Sequence, residues 1–375
     1  MKLDGLRVLD LSMFLPGPYL TQALADHGAE VIKVEPPGEG DPVRHIGVRE
    51  GEGTVYFRSL NRGKKSVVAN LKDPADREAL LRLAETADVF VESFRPGVVD
   101  RLGVGYDAVR ARNPRIVYCS ISAFGQDGPY RDRPAHDIGV EAVSGVLSVT
   151  EGRDGKPAIP GLPAADMVSA LQGLAGVLMA LLRREKTGAG DYVDIAMHDS
   201  LVSASANILG PALAEDRQQV PKHERTTGGA AFYQIYDTSD GRHIALAGQE
   251  TKFVRNLLDA LGRPELASLN DKGPGPHQQP LEAYLRQTFL TRTQAEWVAF
   301  LSKLDVCFGE LKTLPEALRD ENLLARGMVI TDSGGRRHLG TPIRFRDEPG
   351  MPRLETPALD AHGAEILAPL RGAAR

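Results

Sequence analysis

The sequence predicts an α/β protein: an open parallel sheet with helices on both faces, followed by a smaller α+β domain. Two observations predict the first part. Short apolar runs alternate with helix-length segments through the first 200 residues. The two opening runs are joined by one such segment, the crossover that parallel strands require. A third observation predicts the second part. Near Gln218 the texture changes to a hairpin pattern and then to helical patterns. The expected division is 1–200 for the large domain, 201–224 for a linker and 225–330 for the small domain, with 331–375 returning to the large one.

Residues 6–11 read as a buried strand, which Pro16-Gly17-Pro18 breaks. Residues 19–27 are then a helix with Gly28 at its end, and 30–34 a second strand. Further strands are expected at 66–71, 89–92 and 116–121, and helices at 74–86 and 107–113. The strongest helical pattern spans 166–184 and stops at Lys186-Thr187-Gly188-Ala189-Gly190. A strand at 192–196 and a helix at 200–209 follow. Residues 233–236 and 243–247, around Thr238-Ser239-Asp240-Gly241, read as a β-hairpin. Helices are expected at 252–261, 281–288 and 293–304.

Composition excludes several classes. The chain has 375 residues, 42% hydrophobic and 25% charged, as in ordinary globular proteins. Net charge is −5 and no basic stripe runs along a helix, which argues against nucleic acid as a partner. Cys119 and Cys307 are far apart and make no metal-ligand spacing, as expected of free thiols in a reducing compartment. The N-terminus carries Lys2, Asp4 and Arg7 and lacks the apolar core of a secretory signal. The longest apolar stretch, 167–182, contains Ser169, Gln172 and two glycines. It falls short of the roughly 20 residues of a membrane span. A cytoplasmic enzyme without a membrane partner is expected.

His136 and Asp166 are the candidate catalytic pair. A neutral base and a carboxylic acid on opposite faces of a carbon can take a proton from one side and return it to the other. A carboxylate alone suits acyl transfer. By position Asp166 reads as an N-cap, and the same helix start offers N–H donors for an enolate or oxyanion. Asp137 adjoins His136, but neighbours on a helix do not face one another, so it reads as a first-turn helix residue. Glu250 reads as a loop carboxylate that could orient His136 if it reached it. Glu35 ends the second strand, as in dinucleotide-binding folds. The first loop, Ser12-Met13-Phe14-Leu15-Pro16-Gly17-Pro18, lacks G-x-G-x-x-G, which argues against a nicotinamide cofactor. Asn61-Arg62-Gly63-Lys64-Lys65-Ser66 reads either as a solvated turn or as a phosphate-binding edge. Arg95 and Arg101 follow a strand end, where such sheets bind ligands, and Phe94 could stack on a base.

The chain resembles the family III (CaiB/BaiF-type) CoA-transferases, the group that also contains α-methylacyl-CoA racemase. The resemblance rests on Leu6-Arg7-Val8-Leu9-Asp10-Leu11 with Pro16-Gly17-Pro18, on Gly28-Ala29-Glu30-Val31-Ile32-Lys33-Val34-Glu35, and on Asn61-Arg62-Gly63-Lys64-Lys65-Ser66. Phe94-Arg95-Pro96-Gly97, Phe124-Gly125-Gln126-Asp127-Gly128-Pro129 and Arg184-Glu185-Lys186-Thr187-Gly188 extend it. It implies a Rossmann-like large domain, a smaller domain, an interlocked homodimer, acyl-CoA thioester substrates, and no cofactor beyond the coenzyme A of the substrate. It places the catalytic aspartate at Asp166. In transferases that aspartate is a nucleophile, passing through mixed anhydride and aspartyl-CoA intermediates. In racemases it is an acid/base paired with a histidine that a glutamate supports, here His136 and Glu250. Coenzyme A contacts are implied at Asn61, Arg62, Lys64, Leu71, Lys72, Ser93, Phe94, Arg95 and Arg101. Ala135-His136-Asp137-Ile138 and Gln249-Glu250 with Phe253 resemble the racemase branch. Pro36 stands where many members place an arginine. Racemisation of a 2-methylacyl-CoA is therefore the leading expectation. CoA transfer to a free carboxylate is the alternative, and binding of CoA esters without turnover is a third reading.

Overall fold

The structure is a computed structural model that describes residues 1–371. Two compact units divide the chain. Residues 1–144, 160–204 and 321 onward form the larger; 145–159 and 205–320 form the smaller. The expected boundaries shift in three places. Residues 145–159 leave the large unit because they close on themselves, at the Glu151–Pro157 bridge, and Arg153 pairs with Asp237 of the smaller unit's sheet at 2.5 Å. The expected linker has no separate existence from 205 onward, and the large unit resumes at 321 rather than 331.

In the larger unit, β1 (Arg7–Asp10), α1 (Pro16–Asp26) and β2 (Glu30–Glu35) form the expected βαβ unit. Next come α2 (Val55–Asn61), β3 (Lys65–Val68), α3 (Pro74–Ala84), β4 (Val89–Glu92) and α4 (Val98–Arg101). They lead to α5 (Tyr106–Arg112), β5 (Val117–Ser122), α6 (Asp137–Val143), α7 (Ala164–Thr187), β6 (Tyr192–Ala196) and α8 (Met197–Ala204). The six strands make one sheet in the order β3-β2-β1-β4-β5-β6, every pair parallel. Two elements depart from the sequence reading. Pro16 opens α1 instead of blocking it, because a proline in the first turn has no N–H that the helix needs. Gly17 is required there: a Cβ would stand 2.2 Å from the Ser12 side chain. Helix α2, seven residues, was not anticipated; α6, also seven, bears out the reading of Asp137 as a first-turn helix residue.

The strands are covered on both faces, so they read as apolar runs. Leu9, Ile32, Val67, Phe90 and Tyr118 pack with Leu80, Leu83, Val104 and Val109, and Leu367 of the C-terminal segment joins them. On α7, Gly173 lies against Leu20 and Ile121, and Gly188, at φ 73°, ends the helix. Among the described residues α7 is the helix long and apolar enough to cross a membrane by length and composition. The shorter span expected from sequence had counted only residues 167–182. One side of α7 is buried through Ala170, Leu174, Val177 and Leu181; Leu171, Leu178, Met179 and Leu182 are exposed.

Most buried polar residues of the strands, Asp10, Lys33, Glu35, Glu92, Ser120 and Ser122, lie toward their carboxyl ends; Ser66, second in β3, is the exception. The strand order reverses between β1 and β4, and open α/β sheets bind ligands at that edge.

The smaller unit contains α9 (Gly210–Glu215) and the antiparallel hairpin β7 (Tyr233–Asp237) and β8 (His243–Ala247). Helices α10 (Thr251–Ala260), α11 (Gln279–Phe289) and α12 (Gln294–Leu301) follow. A third strand, β9 (Phe308–Glu310), pairs with β8; at three residues it left no alternation to read. Phe232, Tyr236, Leu246, Leu257, Phe289 and Trp297 are among its core residues.

Candidate active site

Three loops at the carboxyl edge of the sheet, with the start of α7, enclose a cavity of about 370 Å³. The β1–α1 loop supplies Met13 and Phe14. Ser12 holds that loop: its N–H donates to Asp10 Oδ1 at 3.0 Å, its hydroxyl donates to the same oxygen, and its carbonyl accepts from Lys33 Nζ at 2.8 Å. Phe14 takes a left-handed backbone (φ 63°), uncommon for a bulky residue, and its ring meets that of His136 edge-on at 6.0 Å. The β4–α4 loop supplies Ser93, Phe94 and Arg95. Buried Glu92 accepts the Phe94 N–H at 2.7 Å, and Ser93 Oγ accepts the Met13 N–H at 3.2 Å, which ties the two loops together. Burial pushes the Glu92 carboxyl up to about 7. The segment after β5 supplies Phe124, Arg131, Arg133 and His136.

Asp166 reaches the same cavity from the first turn of α7. It is not the N-cap. That position is Pro163, whose side chain caps nothing, and Asp166 is the third helical residue. The first-turn donors are already engaged. Ala164 N–H donates to Glu141 Oε1 at 2.9 Å, and Asp166 N–H to Asp137 Oδ1 at 3.0 Å. The expected cradle of free N–H groups for an enolate is therefore absent from this helix start. Burial first, then the neighbouring carboxyl groups of Asp137 and Glu141, raise the Asp166 carboxyl to about 7.

The structure thus brings His136, Asp166, Ser93, Phe94 and Arg95 together. Leu71, Lys72 and Phe94 line a second, smaller cavity of about 200 Å³, walled by apolar Leu11, Val34, Pro36 and Leu102. Met13 and Phe94 border both cavities. Arg101 lines neither; it is exposed at the end of α4.

The phosphate-binding edge expected at Asn61, Arg62 and Lys64 is overturned. All three are buried, at 0, 2 and 3% exposure. Arg62 Nη2 pairs with Asp26 Oδ2 at 2.8 Å. Lys64 Nζ sits among Asp10 Oδ2, Asn61 Oδ1, Thr21 Oγ1 and the Pro18 carbonyl, at 2.8 to 3.0 Å. These cations neutralise buried carboxylates and have no face left for a phosphate. Glu250 belongs to the smaller unit, where it is the exposed N-cap residue of α10.

Sequence reasoning missed Asp137 and Glu141 as partners of Asp166. Their spacing of four residues was a signal, since it puts both on one helix face. The capless start at Pro163 was another. Neither could be used without knowing that α6 meets the start of α7.

The model of CoA-transferase family III matches residues 3–363. Over 94% of this chain and 92% of the relative, the sequence is 35% identical to acetyl-CoA:oxalate CoA-transferase from Acetobacter aceti. It is 38% identical to a probable fatty acyl-CoA transferase from Mycobacterium tuberculosis, covering 98% of this chain and 97% of that protein. A crystal structure of a CaiB/BaiF family protein from Brucella suis superposes with a TM-score of 0.83 at 34% identity, covering 98% of this chain and 99% of that one.

Proposed function

The chain belongs to CoA-transferase family III, and from that premise we propose that it moves coenzyme A between an acyl thioester and a free carboxylate, with Asp166 as nucleophile. The carrying observation is the Asp166 carboxyl, which faces the cavity with its basicity raised by burial and two acidic neighbours. A more basic carboxylate is a stronger nucleophile once ionised. The Asp166 carboxylate attacks the thioester carbonyl, forming a mixed anhydride and releasing CoA thiolate. The thiolate then attacks the aspartyl carbonyl, forming aspartyl-CoA and releasing the donor acid. The acceptor carboxylate attacks aspartyl-CoA, again giving an anhydride and free thiolate. Thiolate attack on the acceptor acyl carbon yields the new thioester and restores Asp166.

The racemisation expected from His136 and Asp166 finds no support in these relatives, which are named as transferases. It also loses the enolate donors assumed at the start of α7. On the transfer reading His136 shapes the cavity beside Phe14 and carries no step. We assign the smaller apolar cavity, with Lys72 at its rim, to the nucleotide end of coenzyme A, and Arg95 to its phosphates. The exposed apolar stripe of α7 is assigned to a second copy of the chain, as the family resemblance implies.

The test is transfer from acetyl-CoA to a panel of carboxylic acids running from oxalate to long-chain fatty acids, read by mass spectrometry. With an ¹⁸O-labelled acceptor acid, one label should appear on Asp166. Transfer without label at Asp166 would remove it as nucleophile. Deuterium gain at the α-carbon in D₂O, with no acid added, would restore the racemase reading.

A further inference from the structure

Helix α7 carries the proposed nucleophile, yet it starts on a proline that caps nothing. Its first turn is held from outside. Glu141 Oε1 accepts the Ala164 N–H and Asp137 Oδ1 accepts the N–H of Asp166 itself. Asp137 and Glu141 stand one turn apart on α6, so their side chains lie together. Glu141 is fully buried, and its second oxygen, Oε2, has no hydrogen-bond partner if the group is taken as a bare carboxylate. Asp137, one turn away on the same helix, raises the Glu141 carboxyl by its charge and by side-chain hydrogen bonding. Two carboxyl groups that close can be satisfied only with a proton between them.

We propose that Asp137 and Glu141, sharing one proton, are positioning residues for Asp166: they replace the N-cap that α7 lacks and fix the backbone from which Asp166 reaches the cavity. The inference deepens the transferase reading and rests on it for its functional meaning. Burial and Asp137 both push Glu141 up, so the shared proton is assigned to Glu141. After burial, Asp137 is the largest cause that disfavours ionisation of Asp166. The other titratable or charged groups facing Asp166 are Tyr56 of α2, and His136, Arg95, Arg131 and Arg133 around the cavity. The arginines favour the ionised form, so burial first and then the carboxyl pair hold Asp166 up.

The test separates capping from charge. Asp137→Asn keeps an oxygen for the Asp166 N–H but removes the charge. Carbon-13 NMR titration of labelled aspartate, with Asp166→Asn used to assign the signal, should find the Asp166 midpoint lowered by about one unit in D137N. The acid limb of the transfer pH profile should move by the same amount. Glu141→Gln imitates the protonated acid, so its midpoint should stay with the wild type. Should D137N fail to fold, the wild-type minus E141Q difference infrared spectrum at neutral pH decides: it should hold a protonated carboxylic carbonyl band, beyond those that Asp166 and Glu92 give to both proteins. An unmoved midpoint in D137N, an E141Q midpoint that falls as far, or no such band would each overturn the proposal. A shifted NMR midpoint in a chain that transfers no CoA would sink the transferase reading and leave the positioning pair standing.

Discussion

Asp166 combines reactivity with a cost to stability. Its carboxyl is raised from 3.8 to about 7, so between those values the folded chain keeps a proton that the unfolded chain has released. Stability from that proton is full below the lower value and falls as pH rises through the upper one. Asp166→Asn should therefore abolish transfer and yet stabilise the fold at pH 8 by about 2 kcal/mol after partial exposure is discounted, seen as a higher melting temperature. The gain should disappear below about pH 4, as thermal melts across pH would show. Transfer itself should rise with pH through about 7, as the nucleophile ionises. His136 makes the opposite case. General acid–base groups contribute roughly 10²–10⁴-fold, so a loss well below that range in His136→Ala transfer kinetics is expected. A larger loss would return His136 to the chemistry. The sequence marked both residues as candidates, but not their environment, since Asp137 and Glu141 act through a contact between two helices.

At the scale of the element, β3 and the turn before it show why residue type alone misleads. Asn61, Arg62 and Lys64 matched a phosphate-binding edge in composition, yet Lys64, immediately before β3, is buried. Burial pushes the Asp10 carboxyl up, but Lys64 and Lys33 outweigh it and hold it below the usual carboxylate range. Burial in turn pushes Lys64 down to about 8. Removing Lys64 leaves a buried charge without its partner, which typically costs about 3–5 kcal/mol. Lys64→Met should accordingly lower the denaturant midpoint at neutral pH, and should not act chiefly on KM for the thioester. Because Asp10 stabilises only while ionised, the difference should narrow as pH falls below its ordinary value. A folded variant with wild-type stability and a raised KM would reinstate the phosphate-binding reading. The same buried network anchors Ser12, so it reaches the cavity through the β1–α1 loop.

For the whole molecule, α7 links the two levels. Its N-terminal turn presents Asp166, and its C-terminal turn is tied down where buried Arg184 pairs with Asp88 at 2.9 Å. Between them Leu171, Leu178, Met179 and Leu182 remain exposed. If a second copy covers that stripe, Leu182→Glu should lower the mass seen by light scattering from two chains to one. An unchanged mass would assign the stripe to another partner.

The sequence by itself determined the alternation of the main strands and helices and the parallel sheet, because apolar periodicity and chain breaks are local. It also singled out Asp166, His136 and the Phe94-Arg95 turn, because motif identity is carried by the chain. Tertiary structure decided which basic residues face inward, that α7 is capped by α6 rather than by Asp166, and that two cavities meet at Met13 and Phe94. The physical reason is common to all three. Burial, charge pairing and hydrogen-bond satisfaction depend on groups far apart in the chain, and only the packed fold brings them within reach.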